Sequence, residues 1–582
     1  MYHPSVRARA TSRMMTDTFL GYNHKLKIGD GEWYDTQNLT TQYYPLFSPR
    51  NPRGRLTNTF TNLHGIIAKD ALYWVDNGTL YANGYATGLT GLQTQRPTQL
   101  VSMGAYICVF PDAKYLNTMD LTDYGSMGAV WNYEGSVTYS MCHQDGTIYD
   151  NVTKSAAEPA NPVSGAVWID TTSGSVKEYS VYTETWVVIE TVYTRVDFTT
   201  NGQVTQAFKE YDGVNITGMY EDATSSLNGS KILYAVGTES GQDYIVIIGI
   251  QETARTQTDT IRIERKVPEM DYVCEAQNRL WGCFYGNDGA QNINEVYCCA
   301  LGDFRNWEQY LGVSTDSWRA SRGSDGPWTG CVNYNGTPTF FKENIIHPVS
   351  VSPVGAHQIG DIPARGVQEG SWRSLAVVGE TLYYKSRTGI MAYQGGIPAE
   401  VGQALGDVLY YEAAAGVYGH RYVVSMRDGA NNWNLFVYDT SQGLWMREDE
   451  LHAEGFAWWG DELYAWADNG ITALNGTEGT QESAVEWEAE TGMQYYSYPD
   501  RKYVSRYDIR LSMARGSRVQ IFLEYDSSGL WQYMGEVRVP EAGTSVVPVR
   551  PRRCDHMRMR LEGRGEVKIY SIARILETGS DV

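Results

Sequence analysis

Three segments far apart in this chain follow one pattern, and that recurrence limits the fold more than any other feature. Residues 72–84 read Leu-Tyr-Trp-Val-Asp-Asn-Gly-Thr-Leu-Tyr-Ala-Asn-Gly. Residues 382–395 read Leu-Tyr-Tyr-Lys-Ser-Arg-Thr-Gly-Ile-Met-Ala-Tyr-Gln-Gly, and residues 463–476 read Leu-Tyr-Ala-Trp-Ala-Asp-Asn-Gly-Ile-Thr-Ala-Leu-Asn-Gly. Each predicts a strand, a tight turn at Asn-Gly or Thr-Gly, and a second strand closed by another glycine. Asn-Gly tolerates the positive φ angles that a two-residue hairpin turn requires. Looser copies pair 280–285 with 295–300 and 421–426 with 435–439, and place 339–342 after a turn at Asn335-Gly336. A further apolar strand precedes many hairpins, as at 375–378 and 455–459.

About seven such units result, near 60–88, 96–125, 268–310, 325–352, 368–400, 406–448 and 450–480. Short antiparallel strands in repeats of this length predict a β-propeller, whose radial closure leaves little exposed sheet edge. Composition agrees: 43 Tyr, 17 Trp and 59 Gly in 582 residues favour pleated surfaces and turns and exclude a disordered chain. The predicted class is all-β, a propeller of about seven blades with an inserted β domain and a C-terminal β-sandwich. The expected organisation is an N-terminal arm or docking segment at 1–58, blades at 59–125, an insert at 126–266, further blades at 267–484, and the sandwich at 485–582. The sandwich is read from alternating strands such as 504–511, 519–525 and 557–561.

No run approaches the ~20 apolar residues of a membrane helix. Residues 1–20 lack the apolar core of a signal peptide, so a soluble protein made in the cytoplasm is expected. Charge is uneven. Residues 1–60 hold eight basic and four acidic groups and residues 501–582 hold 15 and 10, which leaves 24 basic against 54 acidic between them. The middle should repel DNA, while the ends are suited to acidic surfaces.

The search for reaction chemistry is mostly negative. The phosphate-cradling GxxxxGK[ST], the zinc-binding HExxH and the nucleophile elbow GxSxG are all absent. Eight scattered cysteines read as buried thiols, and Cys142-His143 and Cys554-Asp555-His556 lack further metal ligands nearby. Asp439 and Asp526 read as turn-forming residues bonded to backbone N–H groups. Asn287-Asp288-Gly289 with Glu295 echoes a calcium loop without its remaining ligands. Trp458, Trp459, Tyr464 and Trp466 are expected to fill gaps between blades, the alternative being a sugar-binding face. A propeller could set two carboxylates across a central pocket, but sequence does not pair them.

Residues 31–54, Gly-Glu-Trp-Tyr-Asp-Thr-Gln-Asn-Leu-Thr-Thr-Gln-Tyr-Tyr-Pro-Leu-Phe-Ser-Pro-Arg-Asn-Pro-Arg-Gly, carry a D-x-x-N-L … P-L-x-x-x-R-x-P-R-G pattern that resembles the opening of bacteriophage and prophage tail proteins. Residues 278–283, 301–307, 314–317, 366–371, 555–563 and 569–582 follow in the order seen there. The layout is also similar, more distantly, to the tail nozzle proteins of short-tailed phages. The resemblance implies a structural virion protein of the tail, a nozzle or hub serving DNA ejection. Its partners would be a homo-oligomeric ring, by analogy a hexamer, the head–tail adaptor and other tail proteins, with double-stranded DNA crossing the lumen without specific binding. It also implies no enzymatic activity: no catalytic, cofactor-binding or metal-ligating residues and no cofactor. The alternative reading is a host-recognition module that binds cell-wall polysaccharide through the insert or the sandwich.

Overall fold

The computed structural model describes residues 11–95, 97–220, 226–250, 255–257, 260–287, 289, 291–352, 356–467, 470–496, 501–538, 543–549 and 552–578. Asp288, the 468–469 turn and the final 579–582 therefore lie outside the described residues.

Seven antiparallel blades follow one another at 63–86, 99–126, 272–321, 330–359, 376–400, 410–447 and 455–481. The expected hairpins are present, but their turns differ. Asp76 pairs with Thr79 and Tyr334 with Thr337, so Asn77-Gly78 and Asn335-Gly336 are two-residue turns with φ of 46° and 76°, and of 49° and 82°. Lys385 instead pairs with Ile390. The Thr388-Gly389 turn is thus a four-residue loop, with the Ser386 amide donating to Gly389 O at 2.8 Å. A β-branched residue at positive φ is strained, and the longer loop avoids it.

The ring closes through seven apolar layers, one between each pair of neighbours. Tyr73, Val75 and Leu80 of the first blade meet Ile107 and Val109 of the second. Trp281 and Cys283 of the third meet Phe340 of the fourth. The last layer joins Ala457, Tyr464 and Trp466 of the seventh blade to Leu63, Leu72 and Trp74 of the first. Tyr464 and Trp466 are interblade residues, and Trp458 is partly exposed with its ring 5.1 Å from Tyr418.

Closure is also staggered along the chain. Gly54–Arg55 is a strand of the seventh blade, inserted between Gly470–Ala473 and Thr480–Gln481. A Cβ on Gly54 would sit 1.7 Å from Glu478 O, so the backbones approach too closely for any side chain.

The insert is tolerated because its first and last strands lie side by side: Ala129 pairs with Arg265 and Tyr133 with Ile261. Between them stand a four-stranded and a five-stranded sheet around one core, and a small sheet 152–188 carrying Trp168 and Trp186. Arg265 seals the base, held 2.5 Å from the buried Asp212 and donating to Met127 O.

The sandwich has a four-stranded sheet and a five-stranded sheet sharing one core. Its outer strands Thr11–Thr16 and Trp33–Gln37 come from the segment expected to be an N-terminal arm. Their partners, Val567–Thr578 and Glu486–Thr491, lie some 450 or more residues away, a separation no local pattern reveals. Among the described residues no helix is long and apolar enough to cross a membrane.

Candidate functional site in the propeller axis

Each blade hands the chain to the innermost strand of the next, by a short connection except where the insert intervenes between the second and third, so these connections converge around the axis. At one mouth they enclose a pocket of about 730 Å³. Five aromatic side chains line it, Tyr272, Tyr285, Trp328, Trp372 and Trp433, with four carboxylates, Asp271, Glu369, Glu412 and Glu454. Tyr272 and Tyr285 share one hairpin of the third blade, and the other three rings come from elsewhere around the ring. Sequence reading weighed a different aromatic cluster and missed this one, because only ring closure assembles it.

The wall is held by hydrogen bonds between blades. Gln99 Nε2 donates to Asp271 O at 2.7 Å and Gln99 Oε1 accepts from the Val273 amide at 3.0 Å. Asp271 Oδ2 accepts from the Tyr285 amide at 2.8 Å. The Tyr272 ring lies 5.8 Å from that of Trp372. Burial, followed by nearby charges that include Asp271 and Glu369, raises the Tyr272 hydroxyl above its ordinary range, so it stays a hydrogen-bond donor.

Two cations sit behind the rings. Lys342 lies 4.6 Å from the Trp328 ring centre and donates to Ser324 O, Gly326 O and Asn294 Oδ1; burial pulls its pKa down to about 8. Arg373 packs 4.9 Å from the Trp372 ring and 4.7 Å from that of Trp466, with Glu454 at 3.7 Å. Burial lowers its pKa to about 10, with Glu454 opposing. Trp433 stacks on His452 at 3.9 Å. Glu412 occupies an irregularity in its strand at φ 50° and pairs with Arg427 at 2.5 Å.

Flat rings with carboxylates beside them are what a pyranose presents surfaces for: C–H faces to stack and hydroxyls to donate. The other residues weighed in the sequence lie elsewhere. Asp439 Oδ1 accepts from the amides of Ser441 and Gln442, as a turn residue does. Asp526 instead fastens a neighbouring loop, accepting from the Asp555 amide at 2.8 Å. His556 lies 2.7 Å from Ser527 Oγ and 3.1 Å from Asp555 Oδ2, but Ser527 and Asp555 are exposed and nothing excludes water from them. Cys142 is buried, and the neighbouring His143 lies tilted against Tyr149, ring centres 4.1 Å apart. Asn287 closes its hairpin through Asn292 and Gly289, and Glu295 accepts from Ser321.

No family model matches the chain, and no curated protein matches it. Solved structures similar to it include an exo-β-1,3-galactanase from Phanerochaete chrysosporium, 8% identical with a TM-score of 0.21, over 52% of this chain and 94% of that one. A family 43 arabinoxylan arabinofuranohydrolase from Bacillus subtilis is 11% identical with a TM-score of 0.15, over 77% and 95%. A further glycoside hydrolase is 11% identical with a TM-score of 0.18, over 51% and 96%. At these scores no likeness assigns a reaction to this chain. The expectation of no enzymatic activity is nonetheless corrected: the similar structures include glycoside hydrolases.

Proposed function

We propose that the chain is a structural component of a phage tail, a nozzle or hub subunit that assembles into a ring on the DNA-exit path of the virion. The observation that carries this reading is a set of exposed apolar side chains on the outermost strands of the first two blades and on the loop that leads into the second of these strands. Tyr85 is 81% exposed and Met119 80%, and Leu121 and Tyr124 are also exposed. Tyr124 folds back onto Gly88, where an added Cβ would lie 2.3 Å from its ring, which brings the two outer edges together. Grouped apolar side chains on an outer edge fit burial against another copy of the chain. The tail-protein resemblance supplies the setting, and by that analogy the ring is sixfold, with the adaptor and other tail proteins as neighbours and DNA passing through.

Native mass spectrometry of the full chain, with imaging of virions, tests it. A closed ring in solution and in the tail is expected, and Tyr85→Glu with Met119→Glu should release monomers. A chain that stays monomeric at ~100 μM and is absent from virions ends the reading.

A second reading is favoured by the axial pocket: it binds a saccharide, stacked on Trp372 and Tyr272, and serves host recognition. Glycan-array binding lost in Trp372→Ala supports it. Release of reducing sugar that Glu369→Gln abolishes turns it from recognition into hydrolysis. Neither response in the folded protein removes it.

A further inference from the structure

Two arginines stand directly opposite each other in the sandwich. Arg518 begins one strand of the five-stranded sheet and Arg564 ends its neighbour, and the two are cross-strand partners. Side chains so placed have Cβ atoms about 5 Å apart, and like charges there destabilise the sheet. Among the described residues neither side chain makes a hydrogen bond or an ion pair within 4 Å; Arg518 acts only at longer range on Glu536, whose carboxyl is held low first by Arg538. On the far side of Arg564 the same row ends at Glu486, which makes no ion pair with it either.

These guanidinium groups line a pocket of about 700 Å³ between the sandwich and the segment before the first blade. A third unpaired arginine, Arg515, sits on the adjoining hairpin turn. The two turns are fastened together: the Ala514 amide donates to Glu566 O at 3.0 Å, and a Cβ on Gly565 would lie 2.5 Å from Ser517 Oγ. Arg50 and Arg538 complete the basic lining but have carboxylate partners, Glu482 and Glu536. The one carboxylate in the lining, Glu566, has Lys568 at 3.7 Å.

We infer that this pocket binds a phosphate group carried on a small or flexible ligand. Three guanidinium groups with no ion pair among the described residues, two at facing strand ends and one on the adjoining turn, match the planar, multidentate recognition that phosphate oxygens accept. A bound anion would also relieve the repulsion between Arg518 and Arg564. The concave shape, within a chain of net charge −21, disfavours a duplex, which needs an extended basic face.

Calorimetric titration of the full chain with glycerol phosphate at low salt tests this. Saturable 1:1 binding is expected at ~1 mM or tighter, weakened about tenfold or more by Arg518→Gln with Arg564→Gln. Arg365→Gln, on the propeller, should leave the affinity unchanged. Without ligand, the double variant should keep or raise its urea midpoint, because it removes the repulsion between two facing like charges. The proposal is overturned by no saturation up to ~10 mM, by undiminished binding in the double variant, or by equal loss in Arg365→Gln. Tighter binding of a duplex of about 20 bp, lost through the same substitutions, would overturn it in favour of nucleic acid.

Discussion

Arg50 Nη1 lies 2.7 Å from Glu482 Oε2, and this ion pair joins the chain just before its first blade to the chain just after its last. It belongs to a larger clasp. Arg50 Nε donates to Asn38 Oδ1 at 2.8 Å, and Asn38 Nδ2 donates to Glu486 O at the start of the sandwich. Arg53 pairs with Asp449 and with Glu448, while Asp35 lies 3.2 Å from Arg447 of the sixth blade. Asp35, Asn38, Arg50 and Arg53 are the polar residues of the pattern that resembles phage tail proteins. In this chain they fasten the propeller to the sandwich, so these charges of the basic N-terminal segment are consumed within one molecule.

Removing one side of a buried pair leaves the other charge uncompensated, which costs about 3–5 kcal/mol. The Arg53 side chain is 4% exposed and faces Glu448 and Asp449, so Arg53→Ala should lower the folding free energy by about that amount. Urea unfolding monitored by tryptophan fluorescence measures it. A loss within the ~0.5 kcal/mol typical of surface changes would show that the clasp is dispensable.

Gly54→Ala attacks the same junction by crowding. Its Cβ would meet the Glu478 carbonyl at 1.7 Å, closer than any neighbour can absorb without moving the strand. Overpacking of this kind costs about 1–3 kcal/mol or more. Proteolysis should then cut near residues 476–482 before the other blades, whereas a wild-type cleavage pattern would contradict the closure.

Acid should loosen the clasp in a defined direction. Burial pushes Asp439 and Glu482 up, but hydrogen bonds outweigh it and leave both below the usual carboxylate range: Thr41 and Ser441 for Asp439, Arg50 and the Arg53 amide for Glu482. A carboxyl whose folded pKa lies below its unfolded value of ~4 adds stability above that value, lost as pH falls through the folded pKa. The urea midpoint should therefore drop between about pH 4.5 and pH 3, and Asp439→Asn should show a lower midpoint at pH 7 with a shallower acid slope. An unchanged slope would remove Asp439 from the account.

The eight cysteines are free and buried. Burial raises Cys298 and Cys142 to about 12 and Cys554 to about 11, so almost no thiolate exists at neutral pH. The native protein should react with a thiol reagent far more slowly than the unfolded chain, which should titrate all eight. A fast-reacting native thiol would mark a site that opens.

The hairpin units were legible because strand periodicity and Asn-Gly turns are local. Leu72, Tyr73 and Trp74 are followed by their own turn at Asn77-Gly78, and the pairing they announce lies within the next ten residues. The thiols were legible too, since the cysteines sit inside apolar strand patterns. Thr388-Gly389 was misread in detail because a threonine beside a glycine does not say how long its loop is.

Sequence alone therefore determined the repeating unit, the β class and the burial of each strand face, which depend on residues at most a hairpin apart. Only the tertiary structure decided that Trp33–Gln37 pairs with Glu486–Thr491, that Gly54 completes the seventh blade, and that Trp372 and Trp433 share a pocket. Such contacts leave no local periodicity, because their partners are selected by ring closure and by the burial of charges that separate segments cannot satisfy alone.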